Sequence, residues 1–232
     1  MDLDILPVAS AKENSVSEKK MAATGRVSHA AQKHRTRTAL VTSCRTLIAS
    51  GADISMPAVA QAAGVSEATA YRHFAHLVSL VNEALRELWP GPSEALAPVA
   101  TSPDAAERID FACEFLLHRV YSYQGSVRAV IGATITKPAL VPTRPGFRFG
   151  LIDLALDPVI DTSTEAAALR LAQLKEDLAA VVSAEALFSL IDLCGLDVDR
   201  AIGSLRRTAR TITEVAVGEI DGISQHSGIG VS

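Results

Sequence analysis

The chain has 232 residues, of which 48% are hydrophobic and only 4% aromatic, and its formal net charge is −4. This length allows a small domain joined to a larger one, and the few aromatic residues argue against sandwiches and barrels, whose strands use aromatic and β-branched residues. A membrane span needs an apolar run of about 18 residues, and no apolar run in the sequence is that long. We therefore expect an all-α, two-domain protein of the cytoplasm.

The charges are unevenly distributed along the chain. Residues 19–89 carry nine Lys and Arg against four Asp and Glu, whereas residues 90–232 carry twelve against eighteen. A basic module on an acidic body is typical of a DNA-binding head fused to another function, because only the head needs to attract phosphate. An ordinary bias of solvated surface charge would give the same counts, so both interpretations stay open at this point.

Along the chain, residues 1–32 are rich in Ser, Ala and Lys and lack helical periodicity, which predicts a flexible arm. We expect ordered structure from about Lys33. Apolar residues recur at helical spacing from Leu40 to Ile48 and predict a first helix that ends at Ser50 and Gly51.

Two short helices and a longer one are predicted next. Ser55 can cap the second helix, which Gly64 ends, and Ser66 can cap the third, with Glu67 in its first turn. The apolar spacing from residue 77 to 88 predicts a fourth helix. The run Trp-Pro-Gly-Pro at 89–92 ends it and marks the boundary between a helix-turn-helix domain at 33–89 and a helical domain at 90–222.

In the second domain the pattern predicts helices at about 104–124, 125–137 and 147–157, then one long helix at about 163–193 and a last helix capped by Asp197. The tail at 223–232 is expected to be flexible. The last two helices carry more apolar positions than one face can bury, so we expect them to pair with their copies in a homodimer. Leu205 and Ile212 are candidates for the core of that interface.

The three cysteines, Cys44, Cys113 and Cys194, are too far apart to indicate a zinc site or a disulfide framework. We interpret them as small core residues in a reducing compartment. No cofactor and no metal are expected.

The most informative segment is MPAVAQAAGVSEATAYRHF at 56–74: a short helix, a glycine turn and a second short helix. Ala60 is small enough for the helices to cross closely, Gly64 supplies the turn, and Val65 fills the space behind it. The outward residues of the second short helix are small or can form hydrogen bonds, as a surface that enters a major groove requires. These residues are Ser66, Glu67, Ala68, Thr69, Tyr71, Arg72 and His73.

This segment resembles the signature helix-turn-helix of the tetracycline repressor (TetR) family, whose pattern is A-x-x-A-G-V-S-x-x-T-x-Y-x-H-F. The resemblance implies that the second helix supports the third helix and that the third helix reads the DNA sequence. Thr69, Tyr71 and His73 would chiefly contact phosphates. Glu67, Ala68 and Arg72 would face base edges, and Ser66 would lie near the DNA backbone. We add Ser55, Arg35 and Arg37 as further candidate DNA contacts.

More weakly, residues 183–217 resemble the paired C-terminal helices with which family members form a four-helix dimer interface. The family also implies a palindromic operator, repression, and a small-molecule ligand in the C-terminal domain. One departure is Leu77, which stands where family members usually have a phosphate-binding lysine. Leu77 either packs against the fourth helix or lies exposed near phosphate, and we favour packing.

The ligand site is less defined in the sequence. An aromatic and polar cluster offers Phe111, Phe115, Arg119 and Tyr123 as candidate pocket residues, although core packing explains them equally well. A helical enzyme and a helical protein-binding adaptor are the alternative functions. The sequence has neither an H-E-x-x-H motif nor a phosphate-binding loop, which argues against the enzyme.

Overall fold

The structure is a computed structural model that describes residues 11–86, 88–136 and 146–227, with side chains described within these ranges from residue 30 to residue 223. All regular elements in these ranges are helical, so the chain is all-α, as predicted. None of the described helices has the combination of length and apolar character needed to cross a membrane. The helices are α1 (Ala11–Ala49), α2 (Met56–Ala62), α3 (Glu67–His73), α4 (Leu77–Arg86), α5 (Pro92–Ala95), α6 (Ala105–Ser122), α7 (Gln124–Thr136), α8 (Phe147–Leu156), α9 (Glu165–Val181), α10 (Ala184–Phe188) and α11 (Val198–Ser227).

The buried apolar side chains form two clusters. One joins α1–α4, which we call the head, and its core contains Leu40, Leu80 and Val81, each fully buried. The other joins α5–α11, which we call the body, with α11 packed against α6 and α9. Val130 of α7 belongs to the head cluster, so α7 is the body helix that packs against α4.

The predicted starts and ends of the helices in the head are close to those observed. Ser55 accepts a hydrogen bond from the Ala58 amide, and Gly51 and Gly64 have positive φ angles of 69° and 67°. A positive φ is strained for any residue with a Cβ, which explains glycine at both turns. The expected start of the first helix is wrong: α1 begins at Ala11 rather than near residue 33.

Residues 11–32 are therefore helical although they carry no apolar stripe from which a helix could be predicted. The flexible arm remains a prediction for residues 1–10, which lie outside the described residues. At the other end α11 continues to Ser227, five residues past the predicted end at 222, and the rest of the tail lies outside the described residues.

The body departs from the sequence prediction at the long helix expected over 163–193. The prediction of one continuous helix is wrong, because α9 ends at Val181 and α10 begins at Ala184. Ser183 caps α10 by accepting a hydrogen bond from the Ala186 amide. A π-helical turn, Ser189–Leu193, follows before Gly195. The shorter helices expected at 104–124, 125–137 and 147–157 are confirmed as α6, α7 and α8, and Asp197 caps α11 through the Arg200 amide.

The observed burial of Leu205 and of Cys194 differs from what the sequence led us to expect. Leu205 is 7% exposed within a single chain, because it packs in the body cluster, so it is not a free surface residue. Cys44 and Cys113 are buried, as expected of core residues, but Cys194 is exposed beside the π-helical turn.

Candidate nucleic-acid interface and ligand cavity

The turn between α2 and α3 is fixed by backbone hydrogen bonds. The Gly64 amide donates to the Gln61 carbonyl at 3.1 Å, and the Val65 amide donates to the Ala60 carbonyl at 3.0 Å. Ala60 is buried, so the two helices meet closely around a small side chain, as the sequence predicted. This arrangement holds α3 at a defined angle with one side in the head core and the other towards solvent.

The inward side of α3 is Ala70, which is fully buried, followed by Phe74 at the end of the helix. The outward side carries most of the predicted contact residues. Tyr71 is 46% exposed. Among the other predicted contacts, Ser55, Ser66, Glu67, Ala68 and Arg72 are exposed, and Thr69 and His73 are half-buried.

Three polar side chains form a hydrogen-bonded row along the outward side of α3. The Ser66 and Thr69 hydroxyl oxygens are 2.9 Å apart, and Arg72 Nη2 donates to Thr69 Oγ1 at 2.8 Å. Ser66 Oγ also accepts from the Thr69 amide and so caps the helix. The row pre-orients an arginine next to Tyr71 on an exposed helix face, which is a geometry suited to reading base edges and phosphates.

His73 lies at the C-terminal end of α3 among positive charges. Its Nδ1 is buried and has no hydrogen-bond partner among the described residues. Burial of the imidazole, together with the charges of Lys33, Arg37 and Arg72, lowers the pKa of His73 below its usual range. The side chain is therefore neutral at neutral pH in the free protein.

The two arginines predicted to contact DNA differ in their surroundings. Arg35 is exposed, and its Nη2 donates to the Gln32 side chain at 3.1 Å. Arg37 instead points into the head, where it forms an ion pair with Glu83 and donates to the His73 carbonyl. The phosphate contact expected for Arg37 stays a prediction, and in the free chain its guanidinium nitrogens bond to groups of the head.

Leu77, at the first position of α4, is half-buried and packs against the head cluster. This placement favours the packing interpretation over the exposed one.

The predicted ligand residues do not meet in one enclosed site. Phe111, Phe115 and Arg119 line an open groove along one face of α6. The Arg119 guanidinium lies 5.6 Å from the Phe115 ring centroid, and its Nη1 donates to the Leu88 carbonyl at 3.2 Å. Tyr123 packs towards the head cluster instead.

A larger cavity of about 650 Å³ lies between α4 and the body helices α6, α7 and α8. This volume is within the range of pockets that hold small organic molecules. Trp89 and Phe147 form part of its wall, with ring centroids 5.2 Å apart in an edge-to-face arrangement. The other lining residues with apolar side chains are Leu85, Pro90, Pro92, Leu116, Val120, Val127, Val130, Ile131, Phe149 and Ala184.

Few polar groups line this cavity. Arg148 and Glu185 both do, and they pair with each other at 3.4 Å. Asn82 and Trp89 also line it, and Asn82 Oδ1 and Trp89 Nε1 are buried without a hydrogen-bond partner among the described residues. Buried polar atoms normally have partners, but neither of these two atoms is exposed to the cavity, so a ligand would reach them only after the side chains shift.

This cavity was not predictable from the sequence, because its lining comes from segments far apart in the chain. The one available signal was a single tryptophan, Trp89, next to a proline at the predicted end of a helix. No metal-binding cluster of His, Cys, Asp and Glu occurs among the described residues.

No protein-family model matches the chain, and no curated protein matches its sequence.

Proposed function

We propose that the chain is a ligand-responsive transcriptional repressor of the TetR type, which binds a palindromic operator as a homodimer. In this proposal α2 and α3 form a helix-turn-helix, α3 enters the major groove, and the body dimerises and binds a small molecule. The chain acts by binding rather than by catalysis.

One observation carries the proposal: α3 is a short helix with a buried alanine on one side and an exposed row of hydrogen-bonding side chains on the other. Tyr71 and Arg72 are exposed, and Thr69 is held by Ser66 and Arg72. Tyr71 does not belong to the buried head cluster. Its exposure suits a helix whose partner is a polar, negatively charged groove.

Two apolar side chains support the dimer. Leu169 of α9 is 72% exposed and Val215 of α11 is 55% exposed. They lie on neighbouring helices, because Arg170 and Glu219 join α9 to α11 through an ion pair of 2.5 Å. A two-fold interface on this surface would bury both residues and place two copies of α3 about one DNA turn, or about 34 Å, apart.

The test of DNA binding is selection of duplexes from a random pool, followed by affinity measurements on the selected sequence. We expect a palindromic site, with binding lost in Thr69→Ala and Tyr71→Ala. Tyr121→Ala is the matched control, since Tyr121 is an exposed tyrosine of α6, outside α2 and α3, and it should bind as the wild type does. Selection of no sequence, or equal binding by Tyr71→Ala, contradicts the proposal.

The cavity defines the class of ligand in this proposal: a neutral, mainly apolar molecule with at least one hydrogen-bonding group. Its wall is mostly apolar, Arg148 pairs with Glu185, and Arg86, the other charged lining residue, is exposed, so solvent screens its charge. Asn82 and Ser183 are uncharged polar residues of the lining. Thermal denaturation with a panel of aromatic alcohols and the matching carboxylates tests this class. The alcohols should raise the melting temperature more than the carboxylates do, and the reverse order contradicts it.

A further inference from the structure

Arg37 joins three elements of the head through one side chain. Its Nε donates to Glu83 Oε1 at 3.0 Å and its Nη2 donates to Glu83 Oε2, so the arginine of α1 holds the carboxylate of α4 in a two-point ion pair. Its Nη1 donates to the His73 carbonyl at 3.0 Å, at the last residue of α3. Its guanidinium also lies 4.1 Å from the Phe74 ring centroid.

These contacts suit the fixed, planar shape of guanidinium. A two-point pair with a carboxylate uses two parallel donors, and the third nitrogen reaches a carbonyl of the last turn of α3, where carbonyls lack a partner within the helix. A positive charge at this end also complements the helix dipole. The side chain is therefore held by the head from three directions.

We infer that Arg37 is a positioning residue, which fixes the C-terminal end of α3 relative to α1 and α4. This inference rests on the proposed function for its consequence in DNA binding. It assigns the arginine a role different from a phosphate contact, and the two roles predict opposite results for the variant Glu83→Gln.

Removing a negative charge from the head should by charge alone strengthen DNA binding. If Arg37 positions α3, Glu83→Gln instead weakens binding to the selected operator by about fivefold or more. Arg37→Ala should weaken binding similarly. The double variant should bind the operator at least as tightly as the single variant with the lower affinity, because both changes break the same interaction. Arg37→Lys should not restore binding, since an ammonium keeps the charge but loses the two-point pair.

The salt dependence separates positioning from phosphate contact. Loss of one phosphate contact reduces the log–log salt slope by about 0.9 per site. Arg37→Ala should leave the slope unchanged, whereas Arg35→Ala, at the exposed arginine of α1, should reduce it. Asp53→Asn is the charge control for Glu83→Gln: it removes an exposed acid of the head and should leave binding unchanged or stronger.

A second measurement does not depend on DNA. Hydrogen exchange at residues 70–74 should be faster in Arg37→Ala and Glu83→Gln than in the wild type and in Asp53→Asn, all compared well below their melting temperatures. Unchanged exchange overturns the inference, as does a Glu83→Gln variant that binds operator as tightly as the wild type. If the wild type binds no duplex but exchange changes as expected, the proposed function fails while the positioning role of Arg37 stands.

Discussion

Two arginines show how differently the head and the body use a positive charge. Arg37 in the head is 42% exposed and pairs with a carboxylate. Arg108 in the body is 3% exposed and donates only to backbone carbonyls, those of Leu154 and Ala155 at the end of α8 and those of Val99 and Ala100. The ion pair in the head is partly exposed to solvent, whereas the Arg108 guanidinium is buried and donates to four backbone carbonyls.

The comparison indicates that arginine has a different role in each cluster. Arg108 ties α6 to α8 inside the body, whereas Arg37 joins α1, α3 and α4 of the head. Changes within the body core should therefore affect stability, and changes in the head should affect binding.

The largest expected effect separates the body core from its outer surface. Leu205→Glu places a carboxylate in the body cluster and should cost more than about 4 kcal/mol of unfolding free energy. Val215→Glu, at an exposed position of the same helix, should convert a dimer into a monomer and lower the unfolding free energy only by the contribution of association. Urea denaturation and sedimentation at micromolar concentration test both. A monomeric wild type, or a dimeric Val215→Glu variant, contradicts the proposed interface.

The next effect concerns the buried arginine. Arg108→Ala leaves four carbonyls without their charged donor, and hydrogen bonds to charged groups contribute about 1.5–3 kcal/mol each without being additive. We expect a loss of about 3 kcal/mol or more in unfolding free energy by urea denaturation. Arg207→Ala, at an exposed arginine of α11, is the control and should change it by less than about 0.5 kcal/mol. Equal losses in the two variants would remove the contrast between buried and exposed arginines.

Leu77 gives a smaller effect in the head. Leu77→Lys replaces a half-buried apolar contact of α4 and should cost about 1 kcal/mol of unfolding free energy. Ala75→Lys adds the same charge two residues earlier at an exposed position, so it should tighten DNA binding without loss of stability. If Leu77→Lys keeps the wild-type melting temperature and binds DNA more tightly, Leu77 acts as an exposed residue near phosphate.

The smallest effect is the pH dependence that His73 contributes. Because its pKa is lowered in the folded chain, its contribution to stability is complete above the unfolded pKa of about 6.5 and is lost as the pH falls through that value towards the folded pKa. When the pH is lowered from about 7.5 to about 5.5, the urea midpoint of the wild type should fall more than that of His73→Gln. His118→Gln, at an exposed histidine, should keep the wild-type difference, and equal losses in wild type and His73→Gln refute this role.

Local signals made the head more predictable than the body. Ser55, Gly64 and Ser66 each act on neighbouring residues, so cap and turn chemistry located α2 and α3 closely. The break before α10 had the same kind of signal in Ser183, but the apolar spacing on both sides suggested one continuous helix. Contacts over long sequence separations were not predictable: Arg37 and Glu83 are 46 residues apart, and the cavity lining comes from six helices, α4–α8 and α10.

The salt dependence of duplex binding by the wild type tests the central proposal most directly. A dimer that neutralises at least one phosphate per subunit should give a log–log slope of about −1.8 or steeper on the selected palindrome. The slope should be reduced in Arg35→Ala and unchanged in Tyr121→Ala. A slope near zero, or equal affinity for the selected palindrome and for unrelated duplexes, would contradict the assignment of α3 as a DNA-reading helix.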